Sequence, residues 1–358
     1  MNAPQLPQDA KLKAATTHWA HRFITNGVIL ADFQDITSAL GHWDEWCAAW
    51  AKRAGLHEAM GREALAKGQH VSAAEHLTRA GVYYHFGKFL FVHDLPQMRD
   101  AHRKAVECRR LALPHLDPPG ERVEIPYEGK HLAATLRRPR GAARPPVVIM
   151  AMGLDSAKEE MDSCERTFLD RGMATLCFDG PGQGEAEYDF GIRGDYEVVV
   201  TAVVDWLQSR RDLDLDRIGL WGVSLGGYYA PRAAAFEKRI KACISLSGPY
   251  DFADCWDALP DLTRLAFKVR SKSTSDEDAR RKAGTLSLAS AAKKITCPLL
   301  IATGKLDRVI PWDHSERLAR EAKGPVELIL VEDGTHVANN RPHRYRPQSA
   351  DWMAAQLR

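Results

Sequence analysis

Up to about Leu116, apolar residues recur three and four positions apart, in ITNGVILADFQDITSALGHW, EAMGREALAKG, SAAEHLTRAGVYYHFGKFLF and MRDAHRKAVECRRLALPHL. That period is the signature of helices with one buried face, and no stretch of strict alternation interrupts it. The spacing predicts an all-helical unit over residues 1–117, closed by the prolines and glycine of LDPPGERVEI. ALAKGQHVSAAEHLTRAG has the look of one tetratricopeptide-type helix pair. No second copy follows at a fixed period, so a repeat array is not expected.

Over residues 118–358 the texture changes. RVEIPYEGKHLAATLRRP alternates like a hairpin, and PPVVIMAMG, MATLCFDG, DRIGLWGVS, KACISLSG, CPLLIATG and VELILVED are short apolar runs of the kind buried in a parallel sheet. Helical patterns separate them: SAKEEMDSCERTFLDRG, DYEVVVTAVVDWLQSR, LGGYYAPRAAAFEKR, DHSERLAREAKG and RPQSADWMAAQLR. Strand and helix in alternation predict an α/β domain, a mostly parallel sheet with helices on both faces. Residues 250–294 break the rhythm. They are too long for a plain crossover, which predicts an insertion acting as a lid.

Composition narrows the partners. With 45% apolar and 27% charged residues the chain is ordinary for a globular protein, and a net charge of +2 from interspersed residues leaves no footprint for nucleic acid. The start MNAPQLPQDAKLKAATTHW lacks the apolar core of a secretion signal, and no later run is long enough to span a membrane. The cytoplasm is the expected compartment. The cysteines at 47, 108, 164, 177, 243, 255 and 297 are odd in number and form no CxxC pair, which predicts reduced thiols rather than a disulfide frame. The histidines, among them His70 and His76, lack zinc spacing, so no metal is expected.

The chemistry gathers around GLWGVSLGGYYA. Gly222, Ser224 and Gly226 form GxSxG between a strand and a helix, where glycines permit a tight turn that projects the serine hydroxyl from the sheet edge. Ser224 is the expected nucleophile, and the amide of Leu225 an oxyanion donor. A serine needs a base and an acid, which in this chain order follow it. LLIATGKLDRVIP places Asp307, and LILVEDGTHVANN places His336, just past successive strands at the edge where open α/β sheets bind ligands. His131, His314 and His343 compete less well with His336 by position, as do Asp313, which precedes a helix like a cap, and Glu332 and Asp333, which sit too close to His336 in sequence. The second oxyanion donor is expected after the strand VVIMAMG, at the amide of Leu154, where Gly153 allows the chain to turn.

From about Arg122 onward the chain resembles the α/β-hydrolase superfamily. MGLDSAKEE, FDGPGQGE, GVSLGGYYAPRAAA, GKLDRVIP and DGTHV, with the helical start, are similar to its branch of dihydroxypseudooxynicotine hydrolases and fungal polyketide-shortening hydrolases. The resemblance implies cleavage of a carbon–carbon bond beside a ketone, in a small aromatic or β-diketone-like compound. It also implies a homodimer through the helical domain and a further pocket carboxylate in GPYDFADCWDAL, where Asp251, Asp254 and Cys255 stand in a register the sequence leaves open. Gly153, Tyr228, Tyr250, Asp251, Asp254 and Cys255 are the pocket candidates. Phe86, Phe89, Phe91 and the tryptophans at 43, 46 and 50 could line the pocket or form core. The same three side chains serve a carboxylesterase, thioesterase or lactonase equally well, and His336 could instead activate water directly. A binding protein would have no use for all three.

The glycines at 180, 182 and 184 in CFDGPGQGEAEYD follow a strand, as a phosphate loop does. They match neither GxGxxG nor GxxxxGK[ST], and acidic residues stand where a phosphate would be repelled. The loop is therefore expected to be a turn beside a cofactor-free site, with Asp179 and Gln183 fixing its path.

Overall fold

The computed structural model describes residues 9–358; residues 1–8, the first part of the polar N-terminal stretch, lie outside them. The chain divides into two compact units, one holding the residues up to 119 with 159–163, the other residues 120–158 and 164–358.

The first unit is helical: α1 (Ala10–Thr25), α2 (Leu30–Ser38), α3 (Trp46–Ala66), α4 (His70–Lys88) and α5 (Leu95–Ala112). The Asp9 carboxylate caps α1 by accepting from the Lys11 amide at 2.7 Å. Two boundaries differ from the apolar pattern. The expected helix through ITNGVILADF is broken at Asn26 and Gly27, the latter at φ +107°, and α3 begins well before EAMG because Trp46, Cys47 and Trp50 continue its buried side. α1 reads weakly in sequence because Arg22 shares the stripe of Leu12, Ala15, Trp19 and Phe23. Phe86, Phe89, Phe91 and the tryptophans at 43, 46 and 50 are buried in the interior of this unit: the Phe86 ring lies 4.2 Å from that of Phe23, Trp43 stacks on Trp46 at 5.0 Å, and Trp46 Nε1 donates to the Phe86 carbonyl at 2.8 Å.

A charge lies inside the same unit. Glu160 is fully buried and accepts from Arg22 Nη2 at 2.6 Å, with Asn26 Nδ2 at 3.4 Å and His85 Nε2 at 3.5 Å. Burial alone would raise its carboxyl, but the charges of Arg22 and His85 outweigh that and hold it down at about 2.

The second unit is built on an eight-stranded sheet: β1 (Gly120–Tyr127), β2 (Lys130–Arg137), β3 (Pro146–Ala151), β4 (Ala174–Phe178), β5 (Asp214–Val223), β6 (Ile240–Leu246), β7 (Leu299–Gly304) and β8 (Val326–Val331). Its order is β1-β2-β4-β3-β5-β6-β7-β8. The hairpin β1–β2 and the β2–β4 pair are antiparallel, and every pair from β4 through β3 to β8 is parallel. β4 and β7 are buried along their whole length, which is why they read as unbroken apolar runs, whereas the edge strand β8 is half-exposed and carries Glu327. The helices α6 (Asp162–Leu169), α7 (Glu197–Leu207), α8 (Gly226–Phe236), α12 (Asp313–Glu321) and α13 (Arg346–Gln356) fall where the sequence placed them. Between β6 and β7 the chain makes a helical excursion through α9 (Phe252–Cys255), α10 (Asp261–Arg270) and α11 (Asp276–Ala283). The seven cysteines are free thiols, and no helix among the described residues is long and apolar enough to cross a membrane.

The Glu160 carboxylate gives a pH-dependent test. Because its folded value is depressed from 4.5, its contribution is present above pH 4.5 and is lost as pH falls toward about 2. Glu160→Gln is expected to lower stability at pH 7 by about 3 kcal/mol or more, since one partner of a buried pair is removed. That deficit against the wild type should shrink in urea melts as pH is lowered from 4.5 toward about 2, the range over which first the unfolded chain and then the folded wild type protonate this group.

Candidate active site

β5 ends at Val223, α8 begins at Gly226, and the chain reverses between them through Ser224 at φ +56°. Such a backbone strains any residue with a side chain and is held by its surroundings. Ser224 N donates to the Leu246 carbonyl at 2.8 Å, and Ser224 O accepts from Gly227 N at 2.7 Å. The flanking glycines are required sterically. A Cβ on Gly222 would overlap the carbonyl of Gly226, and one on Gly226 the carbonyl of Ala151.

His336 follows β8 on a loop whose next residues, Val337 and Ala338, are also left-handed, at φ +58° and +48°. This loop is tied to the neighbouring strand ends. Val337 N donates to Ser247 Oγ at 3.1 Å, Ser247 Oγ lies 3.1 Å from Thr303 Oγ1, and Leu306 N donates to the Gly334 carbonyl at 2.8 Å. The result sets His336 Nε2 2.9 Å from Ser224 Oγ and His336 Nδ1 2.8 Å from Asp307 Oδ2. The other carboxylate oxygen of Asp307 accepts from the amides of Val309 and Ile310 at 2.9 and 3.0 Å. Nδ1 facing a carboxylate must carry the proton, so Nε2 is the lone-pair nitrogen that accepts from the serine hydroxyl. The competing acids are engaged elsewhere: Asp313 Oδ1 accepts from the His314 amide, Glu332 pairs with Lys305, and Asp333 pairs with Arg341.

Gly153 packs against this elbow. A Cβ there would stand 3.1 Å from the Val223 carbonyl oxygen and 3.2 Å from Ser224 Cβ, so the chain turn that carries the Leu154 amide lies directly beside the serine. Leu225 immediately precedes α8, where amides lack partners within the helix. In the FDGPGQGE loop, Asp179 is fully buried and accepts from Lys158 N, Lys158 Nζ and Glu185 N at 3.0, 2.6 and 2.9 Å. It is a structural anchor between two loops.

The remaining pocket candidates have other partners. Tyr228 Oη donates to the Gly194 carbonyl at 2.6 Å, and Tyr250 Oη donates to Glu321 at 2.7 Å with Arg317 over its ring at 3.9 Å. Asp251 caps α9 through the Ala253 amide at 3.0 Å, and Asp254 is exposed. Cys255 Sγ lies 3.6 Å from His314 Nε2, but His314 Nδ1 accepts from the Tyr250 amide at 3.1 Å, so Nε2 holds the proton and cannot take one from the thiol. Burial first, then nearby carboxylates, push the Cys255 thiol up to about 12. No motif or spacing marks Arg270, the last residue of α10, which is 2% exposed and donates through Nη1 to the Leu154 carbonyl. Its distance of 116 residues from Leu154 hides the contact.

Residues 160–358 match the prolyl oligopeptidase family. The chain belongs to that family of α/β-hydrolases, and it is a hydrolase. It is 36% identical to a 2,6-dihydropseudooxynicotine hydrolase of Paenarthrobacter nicotinovorans, over 97% of this chain and 92% of the relative. It is 34% identical to the hydrolase ORFZ of Pyricularia oryzae, over 84% of this chain and 85% of that one. Of the hydrolyase PoxO of Penicillium oxalicum, 38% identical over 231 residues, it spans about half, 53%. The crystal structure of a 2,6-dihydroxy-pseudo-oxynicotine hydrolase superposes with a TM-score of 0.87 at 35% identity, covering 94% of this chain and 95% of that one. AbyA5 superposes with a TM-score of 0.74 over 98% of this chain and 99% of its own, at 18% identity, a likeness of fold.

Two outcomes follow from the packing. Gly226→Ala is expected to abolish soluble folded protein, because the new methyl meets fixed backbone, whereas Ser224→Ala should melt within a degree or two of the wild type. Cys255 should remain unmodified by iodoacetamide at pH 8 in the native protein and react once it is unfolded, as peptide mapping would show.

Proposed function

We propose that this hydrolase works through Ser224 as nucleophile, His336 as general base and acid, and Asp307 as the group that orients His336. The observation that supports this most directly is the continuous chain of contacts from Asp307 Oδ2 through the imidazole to Ser224 Oγ, at 2.8 and 2.9 Å. His336 takes the proton as Ser224 Oγ attacks a substrate carbonyl, and the amides of Leu225 and Leu154 hold the oxyanion. His336 then gives that proton to the departing group. Water, deprotonated by His336, releases the acyl group and restores the serine.

The substrate class is a small ketone, aromatic or β-diketone-like, whose carbon–carbon bond beside the carbonyl is hydrolysed. The leaving carbon must then depart as a stabilised carbanion, an enolate or an electron-rich ring carbon, to which His336 delivers the proton. Similarity over nearly the whole length to an enzyme named for 2,6-dihydropseudooxynicotine supports a ketone over a simple ester. The helical excursion between β6 and β7 would act as the lid.

A panel of aryl ketones, 1,3-diketones and p-nitrophenyl esters, with product identification, tests the reading. Carbon–carbon cleavage of at least one ketone is expected, together with a loss of about a thousandfold or more in kcat for Ser224→Ala and His336→Ala. Ester hydrolysis with every ketone inert would overturn the substrate class. Near wild-type turnover by Ser224→Ala would overturn the mechanism.

A further inference from the structure

The turn that presents the Leu154 amide is gripped from behind. Gln183, fully buried in the FDGPGQGE loop, donates both hydrogens of its Nε2 to consecutive carbonyls, Met152 O at 2.6 Å and Gly153 O at 2.8 Å. Its Oε1 accepts from the Gly180 amide at 3.2 Å and from Tyr196 Oη at 3.3 Å. This fixes which way round the amide stands, because exchanging the two ends would set donors against donors and acceptors against acceptors. Tyr196 is itself fully buried, which keeps its hydroxyl protonated and a donor. The next carbonyl, Leu154 O, accepts from Arg270 Nη1. Three successive carbonyls are therefore held by side chains from two separate parts of the chain.

Peptide planarity turns that grip into a functional statement. In a trans peptide the C=O and N–H point in opposite directions from one rigid plane. The carbonyl of Gly153 and the amide of Leu154 belong to the same plane, so the hydrogen bond from Gln183 sets the direction of the Leu154 N–H. Arg270 fixes the following plane, and with it the other side of Leu154. Gly153 on its own gives no such certainty, since a glycine leaves its neighbouring peptide free to rotate.

The geometry points to Gln183 and Arg270 as positioning residues of the oxyanion hole, which hold the Leu154 amide aimed at the carbonyl that Ser224 attacks. This rests on the reading of Ser224 and Leu154 given above. It accounts for the glycine-rich loop without a nucleotide: the loop delivers a glutamine side chain to the back of the turn. Preorganised donors of this kind matter in the transition state and little in ground-state binding. Gln183 touches no reacting atom and acts through the peptide it holds.

An alkyl fluorophosphonate probes the site without knowledge of the substrate. Ser224 Oγ forms the P–O bond, the P–F bond breaks, fluoride leaves, His336 takes the hydroxyl proton, and the phosphoryl oxygen occupies the oxyanion position. Labelling followed by intact mass against probe concentration gives a maximal rate and a half-saturating concentration. For Gln183→Leu the melting temperature should fall, because buried carbonyls lose their donor, while in the folded protein the maximal rate is expected to fall about a hundredfold, the order of losing one oxyanion donor, with the half-saturating concentration close to wild type. Gln183→Glu, nearly the same shape but with oxygens facing the two carbonyls, should lose at least as much. Should neither Gln183 variant fold, Arg270→Met is judged by the same split. Labelling of the folded variants at the wild-type rate overturns the positioning role, as does a fall in rate matched by loss of probe affinity, which marks a purely structural part. Wild-type protein that is not labelled at Ser224 overturns instead the nucleophile reading on which the inference rests.

Discussion

At φ +56° the backbone of Ser224 occupies a region that costs a residue with a side chain about 1–2 kcal/mol, and the sheet-built unit is arranged so that this conformation has no exit. Gly222 and Gly226 lie against backbone that leaves no space for a methyl, and Gly153 fits against the serine's own Cβ. β3 and β5 are hydrogen-bonded neighbours, with Ala151 opposite Gly222, so the loop after β3 and the elbow after β5 must meet. The proposed nucleophile and the turn proposed to hold the oxyanion are thus brought together by strand pairing, the most rigid link in the fold. The strain at the serine is balanced by the sheet beneath it.

The parallel sheet accounts for the other two proposed members in the same way. β7 and β8 are neighbours, both end at the same edge, and Asp307 and His336 lie on the loops that leave them. Leu306 N donates to the Gly334 carbonyl between these two loops, and Val337 N ties the second to Ser247 at the end of β6.

Two buried histidines of this unit show how a partner at Nδ1 decides the chemistry at Nε2. His336 faces a carboxylate through Nδ1 and so presents a lone pair to Ser224. His314 faces the amide of Tyr250 through Nδ1, and therefore presents a proton to Cys255 and leaves it a thiol. Each pairs a histidine with a nucleophilic side chain, and only the first is poised to take a proton. Sequence spacing alone cannot separate them, since the difference is one backbone N–H against one carboxylate.

Much of the fold was legible because its signals are local. The fully buried strands read as apolar runs, GxSxG names its own turn, and Asp307 and His336 follow strands that periodicity alone identifies. α1 shows weakly in the pattern because Arg22 interrupts its apolar stripe, and that arginine's partner Glu160 lies 138 residues away. Asp179 and Gln183 were expected to fix the glycine-rich loop. Their partners, the Lys158 amine and the carbonyls of Met152 and Gly153, lie on another loop, and Arg270 arrives from α10. By itself, then, the sequence determined the elements, their order and the residue types at each strand end, because those depend on periodicity and on backbone conformations available to neighbours in the chain. Only the tertiary structure decided which donor faces which acceptor across loops, because hydrogen bonds depend on direction and on tenths of an ångström between segments that the sequence keeps far apart.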